Sequence, residues 1–502
     1  MTDYLTTHFV PALLITTFTA SCSVILDERK TQCVVNADCA HFEGNPSCQQ
    51  GVCVATGLGP PGCFPEEPST PEQLANHCTT ASRVQFDNCN RLNLCDDTAV
   101  ATAFQRSTTP GVLGTVPPSG VNQVTKGPCT NAPGKVIYVT GSTNLPPLLK
   151  AVQPLLSAND PPYTVVFAPQ TSCKGAASMY DSDRTKNVIT DIENNYAFYY
   201  DPGDPKGEPV YCNLAPGGNA VDVGESDVYP SSCGYTPSPT DGIADYPGPI
   251  LAISFVVPSA STQFAISAEA AHLVFGAGGD SGRAFPWTEP HRYFVRSSGT
   301  GTVQLPSRSI NVNPSAWWGI DRLSAANLVL AMVTLNPIFV EEAIGILSSD
   351  FADRNRDNLR VLAFQQSGQK YAYLPDSTSE AFDKSNVRDG HYPIWGAIHL
   401  IAATTNGSPS EAASALIAQL TAPRLEPSVV SAIIDAGFVP PCAMKVTHTS
   451  EVGPLKPLLP KSACGCLFDK KTNGATSCKE CSGPADCPTS APACSYGYCE
   501  NQ

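Results

Sequence analysis

Short apolar runs alternate with amphipathic stretches along the middle of the chain. VIYVT from Val136, YTVVFA from Tyr163 and ILAISFVV from Ile250 are rich in β-branched and aromatic residues, and they predict buried strands. DRLSAANLVLAMVTL from Asp321 and SEAASALIAQL from Ser410 carry apolar residues at helical spacing, and each predicts a helix that opens on a polar residue. Strands that alternate with helices predict an α/β body with largely parallel strand pairing.

The two ends of the chain follow a different pattern, in which cysteines recur at fixed spacing. CVVNADCAHFEGNPSCQQGVC (33–53) and CSGPADCPTSAPACSYGYC (481–499) both read C-x5-C, a short loop and C-x4-C. Segments this short cannot bury a hydrophobic core, so disulfides are expected to hold them. Zinc at Cys464-x-Cys466 and Cys478-x2-Cys481 is an alternative, but the low histidine content favours disulfides.

The first residues predict export from the cytoplasm. An apolar run from Phe9 to Ala20 precedes Ser21-Cys22; it is too short to span a bilayer and is typical of a signal peptide. Small residues directly before a cysteine resemble a bacterial lipobox, which would make Cys22 the acylated first residue of a lipid-anchored envelope protein. The alternative is an ordinary signal peptide with Cys22 in a disulfide. Removal of Cys22 would leave an even number of the 21 cysteines, and such heavy usage is typical of an oxidising compartment.

Composition and charge limit the classes of partner that this protein can bind. The chain has 502 residues, of which 42 % are apolar and 15 % charged, enough to build large cores in two or three folded units. The formal net charge of −15 argues against nucleic acid as a partner. An anion site on such a protein must rely on local donors. The sequence predicts no cofactor.

Four polar segments carry the candidate chemistry. YVTGSTNLPPLL (138–149) ends a strand and opens a helix at Pro146, where free backbone N–H groups and the helix dipole would attract an anion. Such residues can also serve only as a helix cap. APQTSCKGAASMY (168–180) repeats the strand-to-helix arrangement, VDVGESDVYPSSC (221–233) supplies acidic residues, and YFVRSSGTGT (293–302) places an arginine beside a hydroxyl-rich turn.

The order GST, TSCKGA, DVGESD, HLVFGAGG and R-x-SGT resembles the substrate-binding protein of bacterial phosphate ABC importers, over about residues 133–440. The resemblance implies a two-lobed periplasmic-binding fold, binding without catalysis, and permease subunits or a sensor as partners. The implied organisation is a signal peptide (1–22), a Cys-rich region (23–130), a two-lobed domain (131–445) and a Cys-rich module (446–502). Its first lobe would hold about 131–248 and 365–445, and its second about 249–364.

The resemblance also implies a set of anion-binding residues. By position in the matching motifs they are Ser142, Thr143, Asn144, Ser172, Asp227, Arg296, Ser298, Gly299 and Thr300. Arg296 would supply a planar fork for an oxyanion. Because a carboxylate repels an anion unless the ligand has a proton to donate, Asp227 favours hydrogen phosphate over sulfate.

Two features of the sequence favour a modified anion site and a different function. TVQLPSRSI after Gly301 contains Pro306 and β-branched residues, and predicts a poor helix start with no dipole at the arginine turn. The Cys-rich ends are not needed by a plain importer component. A surface-anchored interaction protein, which reuses the fold with a modified or vestigial anion site, is therefore the alternative function.

Overall fold

The computed structural model describes residues 38, 47–49, 52–54, 63–65, 68–108, 111–115, 127–191, 196–204, 207–238, 240–279 and 282–501. The chain divides into two compact units, 1–62 and 63–502. In the first unit, strands β1 (Ser47–Gln49) and β2 (Val52–Val54) pair antiparallel. The predictions of a signal peptide and of acylation at Cys22 lie outside the described residues.

Helices are spread through the described part of the second unit. They are α1 Pro71–Asn76, α2 Asn88–Leu92, α3 Asp97–Ala103, α4 Pro146–Ser157, α5 Ser172–Tyr180, α6 Ala268–Ala277, α7 Gly301–Ser309, α8 Ala325–Val333, α9 Ser349–Arg354, α10 Ser385–Asp389, α11 Glu411–Thr421, α12 Pro427–Asp435 and α13 Gly465–Asn473. Both helices predicted from periodicity form: Ser410 caps α11, whereas Ser324 caps α8 and Asp321 ends the preceding strand.

The strands of the second unit alternate with these helices. They are β3 Arg83–Val84, β4 Val112–Thr115, β5 Gly127–Pro128, β6 Lys135–Ser142, β7 Tyr163–Gln170, β8 Val188–Ile189, β9 Ala197–Tyr199, β10 Val210–Asn213, β11 Asn219–Ala220, β12 Val223–Ser226, β13 Ile243–Pro258, β14 Ala265–Ser267, β15 Tyr293–Val295, β16 Gly319–Asp321, β17 Ile344–Ser348, β18 Leu359–Val361, β19 Ala363–Gln365, β20 Ala372–Tyr373, β21 Trp395–Thr405, β22 Ser408–Pro409, β23 Val446–Thr447, β24 Lys456–Pro457, β25 Ala493–Ser495 and β26 Tyr498–Glu500. The three predicted strands are confirmed as parts of β6, β7 and β13.

One large mixed sheet organises the unit, in the order β4-β16-β15-β17-β13-β21-β12-β6-β7-β9-β10-β5. We call β12, β6, β7, β9, β10 and β5 the first half, and β4, β16, β15 and β17 the second half. The long strands β13 and β21 lie between the halves. β13 pairs with β21 over 243–252 and with β17 over 253–256, so its chain passes from one half into the other. The predicted two-part α/β fold is confirmed.

Strand direction corrects the prediction of largely parallel pairing. β6 is parallel to β7 and β12, and β15 is parallel to β16 and β17. At the centre, however, β13 is antiparallel to β21 and β17, and β21 is antiparallel to β12. These strands carry the chain between the halves instead of following a crossover helix, so the rule for βαβ units does not apply to them.

Parallel pairing within each half fixes where a site can form. The carboxyl ends of β6, β7 and β12 are adjacent, and so are those of β15 and β17. Ligands of open α/β sheets bind outside these strand ends. The cores are apolar, with Ile137, Val139 and Phe167 buried in the first half and Phe294 and Ile346 in the second.

Eight disulfides lie within the described part of the chain. They are Cys63–Cys78, Cys89–Cys95, Cys129–Cys212, Cys173–Cys233, Cys442–Cys464, Cys466–Cys478, Cys481–Cys494 and Cys487–Cys499. The disulfide interpretation of the C-terminal module is therefore confirmed over zinc. Disulfides in this number are typical of an extracytoplasmic protein. None of the helices in the described ranges has the length and apolarity needed to span a membrane.

Candidate functional site

Side chains from three separate turns of the first half meet at Asp227. Ser142 ends β6, Asn144 lies in the turn before α4, and Ser172 is the first residue of α5. Asp227 directly follows β12. Because β6, β7 and β12 are parallel neighbours, the three turns that follow them lie at the same edge of the sheet. Pro146 and Pro147 occupy the first turn of α4, where their missing N–H groups cost no hydrogen bond.

Asp227 accepts three hydrogen bonds on one of its two oxygens. Its Oδ2 accepts from Ser142 Oγ at 2.6 Å, Asn144 Nδ2 at 2.9 Å and Ser172 Oγ at 3.1 Å. The other oxygen, Oδ1, is buried and accepts no hydrogen bond from the described residues. Burial raises the pKa of Asp227, and the hydrogen bonds from Ser142, Asn144 and Ser172, together with an interaction with the neighbouring Glu225 carboxyl group, oppose this rise.

The second half contributes a buried arginine. Arg296 directly follows β15 and is 7 % exposed. Its Nε is buried with no hydrogen-bond partner among the described residues. Burial lowers the pKa of Arg296, whereas the negative charges of Asp321 and Asp227 act in the opposite direction. A guanidinium group in this setting is a strong donor with unused capacity.

The two halves touch directly at this point. Gly301 N–H donates to Ser172 Oγ at 2.8 Å, and Cys173 N–H donates to Gly299 O at 3.0 Å. A Cβ atom on Gly301 would lie 2.5 Å from Asp227 Cβ, so only glycine permits this approach. The expectation of a poor helix after Gly301 was wrong, since α7 forms there with Pro306 inside it. Nearly all of α7 is buried, and packing has outweighed the local propensity.

The remaining residues of the predicted set lie around this centre. Thr143 and Ser298 are exposed. Thr300 is buried at the N-cap position of α7, but its hydroxyl makes no capping hydrogen bond and donates instead to Ser297 O at 2.7 Å. Gly299 contributes its carbonyl to the contact between the halves. The structure therefore brings together the side chains of five predicted residues, and the role of all nine in anion binding stays a prediction.

Sequence reasoning missed Glu225, a second buried acid. Its Oε2 accepts the backbone N–H of Ser142, and its Oε1 is buried with no partner among the described residues. Burial, with the nearby charge of Asp227, raises the pKa of Glu225 well above its usual range. A Cβ on Gly141 would lie 2.2 Å from Glu225 O, and one on Gly175 only 1.7 Å from it. The alternation of β12 could have found Glu225, because residues two apart share a face.

Ser348 is a second residue that the motifs did not predict. It ends β17 in the second half, and its Oγ donates to Asn144 Oδ1 at 3.3 Å across the boundary between the halves. Asn144 thus bridges Asp227 and Ser348. The arrangement as a whole offers one cationic donor, several hydroxyls, and the N-termini of α4, α5 and α7. It is suited to hold a small oxyanion.

Comparison with known proteins gives resemblances at the level of the fold. No family model matches the sequence, and no curated protein matches it. Among solved structures, a putative phosphate ABC transporter substrate-binding protein with bound phosphate from Clostridium perfringens is similar, at 10 % identity, TM-score 0.39, and coverage of 61 % of this chain and 99 % of that one.

Two further solved structures resemble the chain to the same degree. An ABC-type phosphate transport receptor from Vibrio cholerae has 11 % identity and a TM-score of 0.39, with 61 % of this chain and 100 % of that chain covered. A possible phosphate binding protein from Planctomyces limnophilus has 12 % identity and a TM-score of 0.37, with 61 % and 93 % covered. At these values the likeness concerns the fold and carries no argument about the ligand.

Proposed function

We propose that this protein is an extracytoplasmic solute-binding protein that captures a tetrahedral oxyanion, most readily hydrogen phosphate, between the two halves. The observation that carries the proposal is the pair of unused buried atoms, Arg296 Nε and Asp227 Oδ1. A buried polar atom without a partner costs about 1–3 kcal/mol, and more when it is charged. An oxyanion that carries a proton offers acceptors to Arg296 and a donor to Asp227.

Selection among anions follows from the carboxylate. Hydrogen phosphate can donate its proton to Asp227, whereas sulfate has none at neutral pH and would place two unprotonated acceptors against each other. The hydroxyl groups of Ser142 and Ser172 can rotate toward a ligand, because a hydroxyl both donates and accepts. Thr143, Ser298, Gly299 and Thr300 would complete the site through backbone groups and the start of α7.

The working step is capture by closure of the two halves, and no reaction is assigned. β13 and β21 are the connections about which the halves would move, and the contact between Ser172 and Gly301 would form on closure. The partners of such a protein would be the membrane subunits of an ABC importer or a sensor. Acylation at Cys22 would hold it at a bacterial membrane.

A second candidate is a surface-anchored interaction protein with a vestigial site. One observation favours it: the donors of Ser142, Asn144 and Ser172 are already directed at Asp227, and the halves already form hydrogen bonds with each other. On this hypothesis the protein's own groups replace the ligand. No anion would then alter its stability.

Thermal unfolding in phosphate, in sulfate and in anion-free buffer separates the two hypotheses. A ligand that binds only the folded protein raises the melting temperature. We expect a rise with phosphate that exceeds the rise with sulfate, and its loss in Asp227→Ala and Arg296→Ala. Arg106→Ala, at an exposed arginine outside the site, is the matched control and should keep the rise. Equal behaviour in all three buffers would overturn the proposal in favour of the interaction protein.

A further inference from the structure

Two histidines and an aspartate, all far from Asp227 in the sequence, lie together in a second cluster of polar side chains. His77 is the residue after α1, Asp389 ends α10, and His391 lies just beyond it. One ligand atom from each residue lies within 4.8 Å of the other two. The side chains are 19 %, 13 % and 0 % exposed in that order, so the cluster is largely buried but open on one side.

A backbone carbonyl contacts one ring nitrogen of each histidine and so determines which nitrogen carries the proton when the ring is neutral. His77 Nδ1 lies 2.6 Å from Leu74 O, and His391 Nε2 lies 2.8 Å from His77 O. A carbonyl can only accept, so these two nitrogens carry the protons of the neutral rings. The lone pairs therefore lie on His77 Nε2 and His391 Nδ1. Histidines that bind metals commonly donate their other N–H to a carbonyl in this way.

Both lone-pair nitrogens face the same carboxylate. His391 Nδ1 lies 2.8 Å from Asp389 Oδ1, and His77 Nε2 lies 4.0 Å from Asp389 Oδ2. Two lone pairs directed at a carboxylate repel it unless a cation lies between them. A proton on His391 Nδ1 allows a hydrogen bond to Asp389 Oδ1. His77 Nε2 and Asp389 Oδ2, 4.0 Å apart, then remain without a group that joins them.

We propose that His77, Asp389 and His391 form a binding site for one borderline divalent metal ion such as Zn²⁺. Two imidazoles and a carboxylate suit this class, and a tetrahedral ion would keep one open position toward solvent. Ligand atoms of such an ion lie about 3.3 Å apart. On binding, His391 Nδ1 and Asp389 Oδ1, now 2.8 Å apart, would separate slightly, and His77 Nε2, now 4.0 Å from Asp389 Oδ2, would move closer. The cysteines at the C-terminus cannot compete, since Cys481, Cys487 and Cys499 are in disulfides.

The position of the site indicates a structural role. His77 adjoins Cys78, which forms a disulfide with Cys63, and both belong to the segment before the α/β body. Apart from the histidine contact, this segment is held near the site by hydrogen bonds from Gln369 Nε2 to Ala75 O at 2.9 Å and from Lys370 N–H to Asn76 Oδ1 at 3.2 Å. A metal ion would join the segment to the α10 region of the body. Metal binding would then add to the stability of the folded chain.

Titration of the chelator-treated full-length protein with Co²⁺ tests the site. We expect one equivalent to bind with the visible absorption of a tetrahedral ion, and Zn²⁺ to displace it. His77→Ala and Asp389→Asn should each weaken binding at least about 10-fold. Asp389→Asn preserves the side-chain shape, so it guards against a general folding defect. His291→Ala, at an exposed histidine 2.8 Å from Glu289, should bind Co²⁺ like the wild type.

Two results would contradict the proposed metal site. Failure of the wild type to bind a stoichiometric ion would overturn the proposal and leave the cluster as a proton-bridged network. So would binding that survives both His77→Ala and Asp389→Asn. Circular dichroism of each variant before titration separates lost ligands from lost structure. The outcome is independent of the proposed anion site, whose residues none of these variants changes.

Discussion

Two of the buried charge clusters in the second unit differ in how completely they are paired. In one, Lys384 Nζ contacts Asp353 Oδ2 at 2.6 Å and Asp376 Oδ1 at 2.8 Å, and Arg356 Nη2 contacts both acids at 2.6 Å. No buried polar atom of these four side chains lacks a partner within the described residues. In the other, Arg296 Nε, Asp227 Oδ1 and Glu225 Oε1 all lack one.

The difference separates structural charge from charge that awaits a ligand. A buried charge that has all its partners needs nothing from outside the chain, and its removal leaves the partners uncompensated. A buried charge with an unused atom can gain a further contact when a ligand arrives. We therefore expect the Lys384 cluster to control folding and the Arg296 cluster to control binding. Each prediction below tests one side of this contrast.

The largest effect on folding is expected at Lys384. Lys384→Met leaves two buried carboxylates beside one arginine, and should lower the free energy of unfolding by about 3–5 kcal/mol. Urea unfolding measures the loss. Lys186→Met is the control, because Lys186 pairs with Asp181 at the surface and its removal should change little. Phosphate affinity should stay unchanged in Lys384→Met, and a loss of affinity there would contradict the division of roles.

Arg296 is expected to behave in the opposite way. Arg296→Met should weaken phosphate binding by about 100-fold or more, which corresponds to the loss of a buried charged contact of about 3–5 kcal/mol. Its free energy of unfolding in anion-free buffer should stay close to that of the wild type, because no hydrogen bond to Nε is lost. Arg356→Met, from the paired cluster, should show the reverse pattern. The contrast fails if both variants lose stability equally without phosphate.

A smaller effect on binding is expected from the contact between the halves. Gly301→Ala places a Cβ 2.5 Å from Asp227 Cβ and should cost about 1–3 kcal/mol of closed-state stability. Phosphate affinity, measured by calorimetry, should fall by about 10-fold or more. Gly217→Ala is the matched control, since a Cβ there meets nothing within 4 Å. Undiminished affinity in Gly301→Ala would show that binding does not require this approach.

The smallest effect concerns the pH dependence of stability. The folded protein holds the pKa of Glu225 well above its usual range, so it binds that proton more tightly than the unfolded chain does. Stability is then present at low pH and declines as pH rises from the ordinary carboxyl range through the raised pKa. Glu225→Gln keeps the shape and a donor but cannot ionise, so this part of the decline should disappear.

Urea unfolding at about pH 5 and about pH 8 measures that difference. We expect the variant to gain on the wild type as pH rises. Asp183→Asn is a suitable control, because Asp183 is exposed at the start of the short 3₁₀ helix Arg184–Asn187, and its hydrogen bonds lower its pKa, the opposite direction. A pH dependence identical in wild type and Glu225→Gln would mean that Glu225 is already ionised in the folded protein.

The sequence allowed much of the fold and the centre of the site to be predicted, because both follow from local pattern. Periodicity located β6, β7, β13, α8 and α11. The rule that side chains after parallel strands meet at one edge explains why Ser142, Ser172 and Asp227 lie together. The polar strand-to-helix turns in the sequence thus predicted which of these side chains lie close together in the structure.

The errors came from features that depend on packing between distant segments. Low helix propensity around Pro306 predicted a poor helix, but packing of the buried residues of α7 stabilises the helix in the structure. Antiparallel pairing of β13 with β21 depends on how the chain returns from the second half, which no local pattern reports. Disulfide partners such as Cys173 and Cys233, 60 residues apart, likewise depend on the folded chain. Glu225 was missed because the motif directed attention to Asp227, although the alternation along β12 places both residues on one face.

Isothermal titration calorimetry of the anion-free protein with phosphate tests the central claim most directly, since it measures stoichiometry and affinity at once. We predict one phosphate per chain, bound at least about 10-fold more tightly than sulfate, a preference worth about 1.4 kcal/mol. Asp227→Asn should reduce that preference, and Arg296→Met should weaken binding of both anions by about 100-fold or more. Absence of binding heat for either anion, with the protein folded, would contradict the claim that Arg296 and Asp227 await a ligand.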